Sequence, residues 1–350
     1  MATHAEVRHA VDEFLRNNRA RAEHAVLVLT AASIAYYFSQ LRSGMTGSVP
    51  SADISLLMSG RAPTIYQYRA LLPWIVNLVQ ATSTALSPQT EFAPASVFQT
   101  VEFLSIFALI LIFRHYLSLF IRNSALCSVL SITMFSALLF NFVLPCPSPL
   151  AFVFWYPWDI PSVMFFTFGL ALLYRRDWRS YYILFCIATL NRETTAFLTI
   201  VYIITEFGRS STRTIGLHCM AQVAIWVGLK YVLYLAYGDN PMIEAQERLL
   251  PGGFIDYQQW SWNILAIKDY RSYPFLISSI GFATVPTLLL WRMIPDEFAK
   301  RSLLVIIPLI PTSMFIGTIV ELRIFGELVP IILIAFLSII GESLRRETVA

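Results

Sequence analysis

The segment Tyr181-Tyr-Ile-Leu-Phe-Cys-Ile-Ala-Thr-Leu-Asn191-Arg-Glu-Thr194-Thr-Ala-Phe-Leu-Thr-Ile-Val-Tyr-Ile-Ile204 is apolar on both sides of one polar break. Its flanks are basic, with Arg175-Arg-Asp-Trp-Arg179 before it and Arg209 and Arg213 after it. Clustered Lys and Arg mark the cytoplasmic ends of membrane helices, so both ends of 180–206 belong on one side. Two half-length helices folded back at Asn191-Arg-Glu-Thr194 satisfy both facts. A single crossing is the competing reading.

The rest of the chain sets this segment among membrane helices. It is 57% hydrophobic and only 13% charged, with a mean hydropathy of +0.62. A soluble domain of this length cannot bury so much apolar surface, whereas a polytopic membrane protein need not. The net charge of +3 is small and its basic residues are scattered, which gives nucleic acid no surface to bind. No CxxC pair, paired histidines, acidic DxD or Gly-rich phosphate loop is present, so the sequence names no metal and no cofactor.

Apolar runs long enough to cross lie near 25–41, 95–113, 124–144, 160–174, 213–237, 273–291, 302–320 and 324–341. The first continues past the length of a signal peptide and reads as an uncleaved helix. Residues 5–15 before it read as a short amphipathic helix on the cytoplasmic face. Keeping all the basic clusters inside requires 69–86 not to cross. Arg69, Pro73, Asn77, Gln80 and Thr84 recur there as a polar stripe, as in a helix lying on the membrane surface; a spanning helix with its stripe turned inward is the alternative. The expectation is therefore an all-α polytopic membrane protein: about eight spanning helices, a broken helical hairpin and one interfacial helix on the outer face. It is one transmembrane domain over 1–350, with 1–24 and the C-terminus cytoplasmic and 42–94, 145–159 and 238–272 outside. Pro145-Cys-Pro-Ser-Pro149 reads as a rigid turn.

On this topology the charges gather on the outer face. They are Asp53, Arg61 and Arg69 in the first loop, Asp159 before the fourth span, Arg192 and Glu193 at the hairpin tip, and Glu321, Arg323 and Glu327 before the last span. Charges within a bilayer cost roughly 2.5–3.5 kcal/mol each on insertion scales, so partners or a shared wet cavity are required. Each residue has a plain reading beside the functional one. Ser51 can cap a helix over 52–59, with Asp53 in its first turn; Asp53 is otherwise a base or ion partner for an acceptor. Arg69 suits a lipid phosphate or simply snorkels. Arg192, at a helix break, makes an anion site or a buried ion pair. Arg323 and Glu327, four apart, pair with each other or touch substrate. Trp155, Tyr156 and Trp158 form an interface belt or a sugar-stacking platform, and Trp260 and Trp262 read similarly.

A lone Asp in the first outer loop, Tyr66-Gln-Tyr-Arg-Ala-Leu-Leu-Pro73, the hairpin broken at Asn191-Arg-Glu-Thr194 and Glu321-Leu-Arg323 before the last span together resemble bacterial members of the GT-C glycosyltransferase superfamily. The resemblance implies a bacterial inner-membrane enzyme that moves a sugar from a polyprenyl-phosphate carrier to an acceptor outside the cytoplasm. It implies Asp53 as the base and Arg69 and Arg192 at the carrier phosphate. The sequence departs from that family in lacking a soluble domain after the last span and an acidic neighbour for Asp53. The acceptor is left unidentified, and membrane lipid is the other expected contact. Two further classes fit the same charges: a transporter or flippase of an amphipathic anion, and a non-catalytic component of a polysaccharide-assembly complex.

Overall fold

The computed structural model describes residues 4–86, 93–144, 153–242, 257–273, 280–317, 319 and 321–349. It is all-helical, and the described residues hold no strand beyond a single parallel bridge between Gly47 and Phe154. Six helices are long and apolar enough to cross a bilayer: Arg21–Met45, Pro94–Leu117, Ser124–Phe142, Thr212–Tyr237, Glu297–Phe315 and Leu328–Glu347. The count of eight is thus supported only in part.

The N-terminal helix α1 (His4–Met45) runs without a break into the first span, so 5–15 is not a separate surface helix. After it come a 3-10 turn Pro50–Ala52 and the short helices α2 (Ile54–Met58), α3 (Thr64–Gln67) and α4 (Leu71–Leu86). The next three are α5 (Pro94–Leu117), begun by a proline whose missing N–H costs the first turn nothing, α6 (Ser124–Ser131) and α7 (Thr133–Phe142). The centre of the chain is α8 (Asp159–Arg175), α9 (Trp178–Asn191), α10 (Ala196–Glu206) and α11 (Thr212–Tyr237). The remainder is α12 (Tyr257–Lys268), α13 (Thr284–Leu289), α14 (Glu297–Ser302), α15 (Ile306–Ile316) and α16 (Leu328–Val349).

Packing ranks these helices. Of the best window in α16, 61% is buried, against 11% in α11. The last helix is therefore central, while α11 turns Leu217, Met220, Val223 and Val227 outward, as a lipid-facing surface requires. α5 packs along α8 on one side and α1 on the other. α8 spans about 26 Å at 1.5 Å per residue, and nearly every one of its faces is buried.

The broken hairpin folds back. Asn191 ends α9, Arg192 is extended (φ −157°, ψ 144°), and a 3-10 turn Glu193–Thr195 leads into α10. At the open end Arg176 pairs with Glu206 and the ring of Trp178 meets Tyr202 at 5.4 Å. At the tip Arg192 reaches Asp159, the first residue of α8. The hairpin is thus as deep as α8 is long. Side-chain caps define the open end: Asp177 accepts from Ser180 N, Ser211 from Thr214 N and Asp296 from Ala299 N.

Two further expectations are corrected. No single helix covers 273–291: the described part has positive φ at Ile280, Gly281 and Phe282, and a right-handed helix cannot pass through left-handed backbone. Residues 274–279 and the proline turn at 145–149 lie outside the described residues, as do residues 243–256 of the 238–272 loop. In 69–86, Arg69 precedes the helix, and Pro73 is buried beside Leu72 and Val76, so the stripe is not one exposed face. Only the first turns of α4 pack, against Phe98, Val97 and Val101 near the start of α5.

α8 and α10 touch at Gly169, where an added Cβ would stand 2.6 Å from Leu198 Cδ1. Gly169→Val should overpack this seam and lower stability by about 1–3 kcal/mol, read as a fall in the melting temperature of the detergent-solubilised protein.

Candidate functional site

The charges that a bilayer would exclude are collected at the tip end of the bundle. Asp159, wholly buried at the N-terminus of α8, is their centre. A helix N-terminus favours a carboxylate, and three arginines from distant segments surround it. Arg42 Nη2, from the end of α1, lies at 3.2 Å; Arg192 Nη1, from the hairpin tip, at 3.6 Å; Arg323 Nη1, from the turn Leu322–Phe325, at 3.7 Å.

Each arginine has a second acid. Arg42 Nη1 donates to Glu102 at 2.7 Å, and Glu102 also accepts from Trp155 Nε1 at 2.8 Å. Arg323 pairs with Glu321, and Arg192 Nη1 stands 3.5 Å from Glu327, which accepts from the Thr194 hydroxyl at 2.5 Å. Beside them Arg69 grips Glu193 through Nη2 (2.5 Å) and Nε (3.2 Å). Lys230 donates to the Tyr68 carbonyl at 3.2 Å and lies close to Glu193.

Aromatic rings roof this network. Tyr66 stacks on Tyr156 and Trp158, with centroids 5.9 and 6.0 Å apart. The Arg323 guanidinium lies 4.0 Å from the Tyr156 ring, and that of Arg69 4.8 Å from Trp158. Leu57 of α2 packs on the same pair of rings. Tyr156 and Trp158 are therefore buried roof, not an exposed belt, and Trp155 is held by Glu102. For Trp260 and Trp262 only the helix they lie in, α12, is described.

The structure brings together Arg69, Asp159, Arg192, Glu193, Glu321 and Arg323, and leaves two candidates out. Asp53 and Arg61 are exposed. Asp53 is itself the N-cap of α2: Oδ1 accepts from Ser55 N at 2.8 Å and from the Ser55 hydroxyl at 2.5 Å. This corrects the expectation that Ser51 caps and Asp53 sits in the first turn, because Pro50 starts a separate 3-10 turn. The Ser55 hydroxyl bond holds the Asp53 carboxyl below the usual carboxylate range. The cap is thus fully present above about pH 4 and is lost as pH falls through the folded value.

Arg69 is buried and paired instead of meeting lipid at the surface. Arg323 and Glu327 do not pair: a 3-10 turn and Gly326 separate them, so four-residue spacing does not put them on one α-helical face. Sequence reasoning missed Arg42, Glu102 and Lys230. Glu102 had a usable signal, being a lone acid inside an apolar span. Arg42 looked like an ordinary end-of-helix cation, and Lys230 lay near the end of a long amphiphilic span.

The arginines differ in how well they are satisfied. Both Nη atoms of Arg42 are hydrogen-bonded and only its Nε lacks a partner. Arg192 is 5% exposed, yet its Nε and Nη1 find no acceptor within hydrogen-bond distance, and its ion contacts are longer than hydrogen bonds. Buried donors left this way call for an explanation. Arg192 sits at the extended break between α9 and the 3-10 turn Glu193–Thr195 that leads into α10. Among the described residues no group of three or more His, Cys, Asp or Glu is placed to hold a metal ion.

Removing one partner of a buried pair leaves its mate uncompensated, at a cost of about 3–5 kcal/mol. Arg42→Met and Glu102→Gln should each lower thermal stability by that order. Arg61→Gln, at an exposed position, should leave it unchanged, and one melting series checks all three.

No family model, curated protein or solved structure matches this chain.

Proposed function

We propose that the protein is a multi-pass membrane glycosyltransferase of GT-C type that uses a polyprenyl-phosphate-linked sugar and works at the tip end of the bundle. The observation that carries this reading is Arg192, a nearly buried guanidinium with two undersatisfied nitrogens at the break of the hairpin. A departing polyprenyl phosphate needs such a charge, and Arg323, over the Tyr156 ring, contacts the same Asp159 oxygen as Arg192. The phosphate would take over contacts that Glu327 and Asp159 now make at 3.5–3.7 Å.

In the proposed step the acceptor hydroxyl attacks the anomeric carbon. The bond from that carbon to the phosphate oxygen breaks, and the carrier phosphate leaves with the bonding pair. Asp53 takes the hydroxyl proton. Its lowered pKa makes it a weak base, so it orients the acceptor first and accepts the proton late, as the new bond forms. Its mounting supports this role: α2 rests through Leu57 on the Tyr156–Trp158 roof, and Gln67 Nε2 donates to the Leu57 carbonyl at 3.3 Å.

Asn caps helices as well as Asp does, so Asp53→Asn separates the charge from the cap. The variant should fold and insert as the parent does, yet lose release of free carrier phosphate from a polyprenyl-phosphate sugar by about a hundredfold or more. Undiminished release by Asp53→Asn removes Asp53 from the chemistry. A parent protein that carries the lipid-linked sugar between leaflets without releasing phosphate would be a flippase, which also uses a broken, charged hairpin.

A further inference from the structure

The other end of the bundle carries a second polar site, built on residues the proposed reaction does not use. A cleft of about 410 Å³ opens where the ends of α8 and α10 meet the start of α14. That volume falls in the usual range for small ligands, about 300–1,000 Å³. Its floor is apolar, formed by Leu173, Tyr174 and Phe298, and its walls carry Arg176, Glu206, Arg209 and Asp296.

The four wall charges are not equivalent. Glu206 is buried and takes two bonds from Arg176 Nη2, at 3.0 and 2.8 Å, and another from the Ser210 hydroxyl. Asp296 caps α14 through Ala299 N at 3.0 Å and accepts from the Tyr174 hydroxyl at 3.3 Å. Both carboxylates are occupied by the protein's own donors. Arg209 is exposed and makes no ion pair among the described residues. Its turn is nonetheless fixed: Arg209 N donates to the Glu206 carbonyl at 2.9 Å, Gly208 supplies the left-handed backbone, and Arg301 Nη1 donates to the Phe207 carbonyl at 2.6 Å. The cleft thus offers one exposed guanidinium that makes no ion pair, carried on a fixed turn beside an apolar floor, with Glu297 of α14 within electrostatic reach. Exposed Arg179 and Arg213 add to the local potential.

We infer that this cleft binds the phosphate headgroup of an anionic phospholipid. Arg209 meets the phosphate, and the Leu173–Tyr174–Phe298 floor takes the glycerol and the first methylenes. Exposed Ile203 and Phe207 beside the cleft give the acyl chains an apolar surface to follow. That continuity favours a lipid over a soluble phosphate. The basic residues of this end are those the positive-inside rule assigns to the cytoplasmic leaflet, where anionic lipid is enriched and basic pockets between helices take headgroups. The site stands independently of the glycosyl-transfer reading.

The test uses the full chain in detergent, followed by thermal unfolding and native mass spectrometry with added phosphatidylglycerol, phosphatidylcholine or glycerol 1-phosphate. Phosphatidylglycerol should stabilise and co-purify, and the other two should not. Arg209→Gln should weaken that binding about tenfold, and Arg209→Lys should retain most of it. Arg346→Gln, on the same end but away from the cleft, should have no effect. Equal phosphatidylglycerol binding by Arg209→Gln and the parent, or an equal loss in Arg346→Gln, overturns the site. Equal stabilisation by glycerol 1-phosphate overturns the lipid.

Discussion

One buried carboxylate organises the tip end of this protein. Asp159 is wholly inaccessible, and Arg42, Arg192 and Arg323 converge on it within 3.2–3.7 Å. An unpaired carboxylate there would face a desolvation penalty of several kcal/mol; so would each arginine without its acid. The cluster therefore forms as a whole or not at all. Because its members come from α1, the hairpin tip and the turn before α16, satisfying it also sets the relative height of helices that apolar packing alone would let slide.

The network divides into a part that holds and a part left incomplete. Arg42, Glu102 and Trp155 form short, directed hydrogen bonds, as a lock between α1, α5 and the loop before α8 needs. Arg192 and Glu327 meet at longer range, with polar atoms of both residues left without hydrogen bonds. Each buried donor left incomplete costs as much as a lost hydrogen bond, and Arg192 has two such nitrogens where Arg42 and Arg323 have one each, the Nε. The incomplete part sits at the break of the hairpin, where the backbone leaves the helix.

The two ends of the bundle answer opposite requirements. At the tip end, charges lie inside and must be matched residue by residue, so acid and base come close to balance. At the far end, Arg176 pairs with Glu206, whereas Arg179, Arg209 and Arg213 at the α8–α9 and α10–α11 turns are exposed, where water can offset them. The same residue type thus makes a lock at one end and an open cation at the other, according to burial.

Hydropathy and charge alone were enough to establish an all-helical chain with apolar spans, and the basic flanks of 180–206 were enough to fold the hairpin at Asn191-Arg-Glu-Thr194. Those inferences rest on local properties: run length, the polarity of a break, and which side of a membrane tolerates arginine. Tertiary structure decided which charges meet. Arg42 and Glu102 are sixty residues apart and belong to different spans, so no spacing in the sequence links them. Arg323 and Glu327 have helical spacing but lie across a 3-10 turn and a glycine, so local geometry overrode the pattern. Asp53 shows the same limit from the other side. Its isolation in the sequence is real, yet only packing reveals that it caps α2 in the open while Asp159, which the sequence presents as one acid among several, is the buried centre. Burial and long-range pairing are properties of the folded chain, and they determine which carboxylate must find charged partners and which stays exposed as a helix cap.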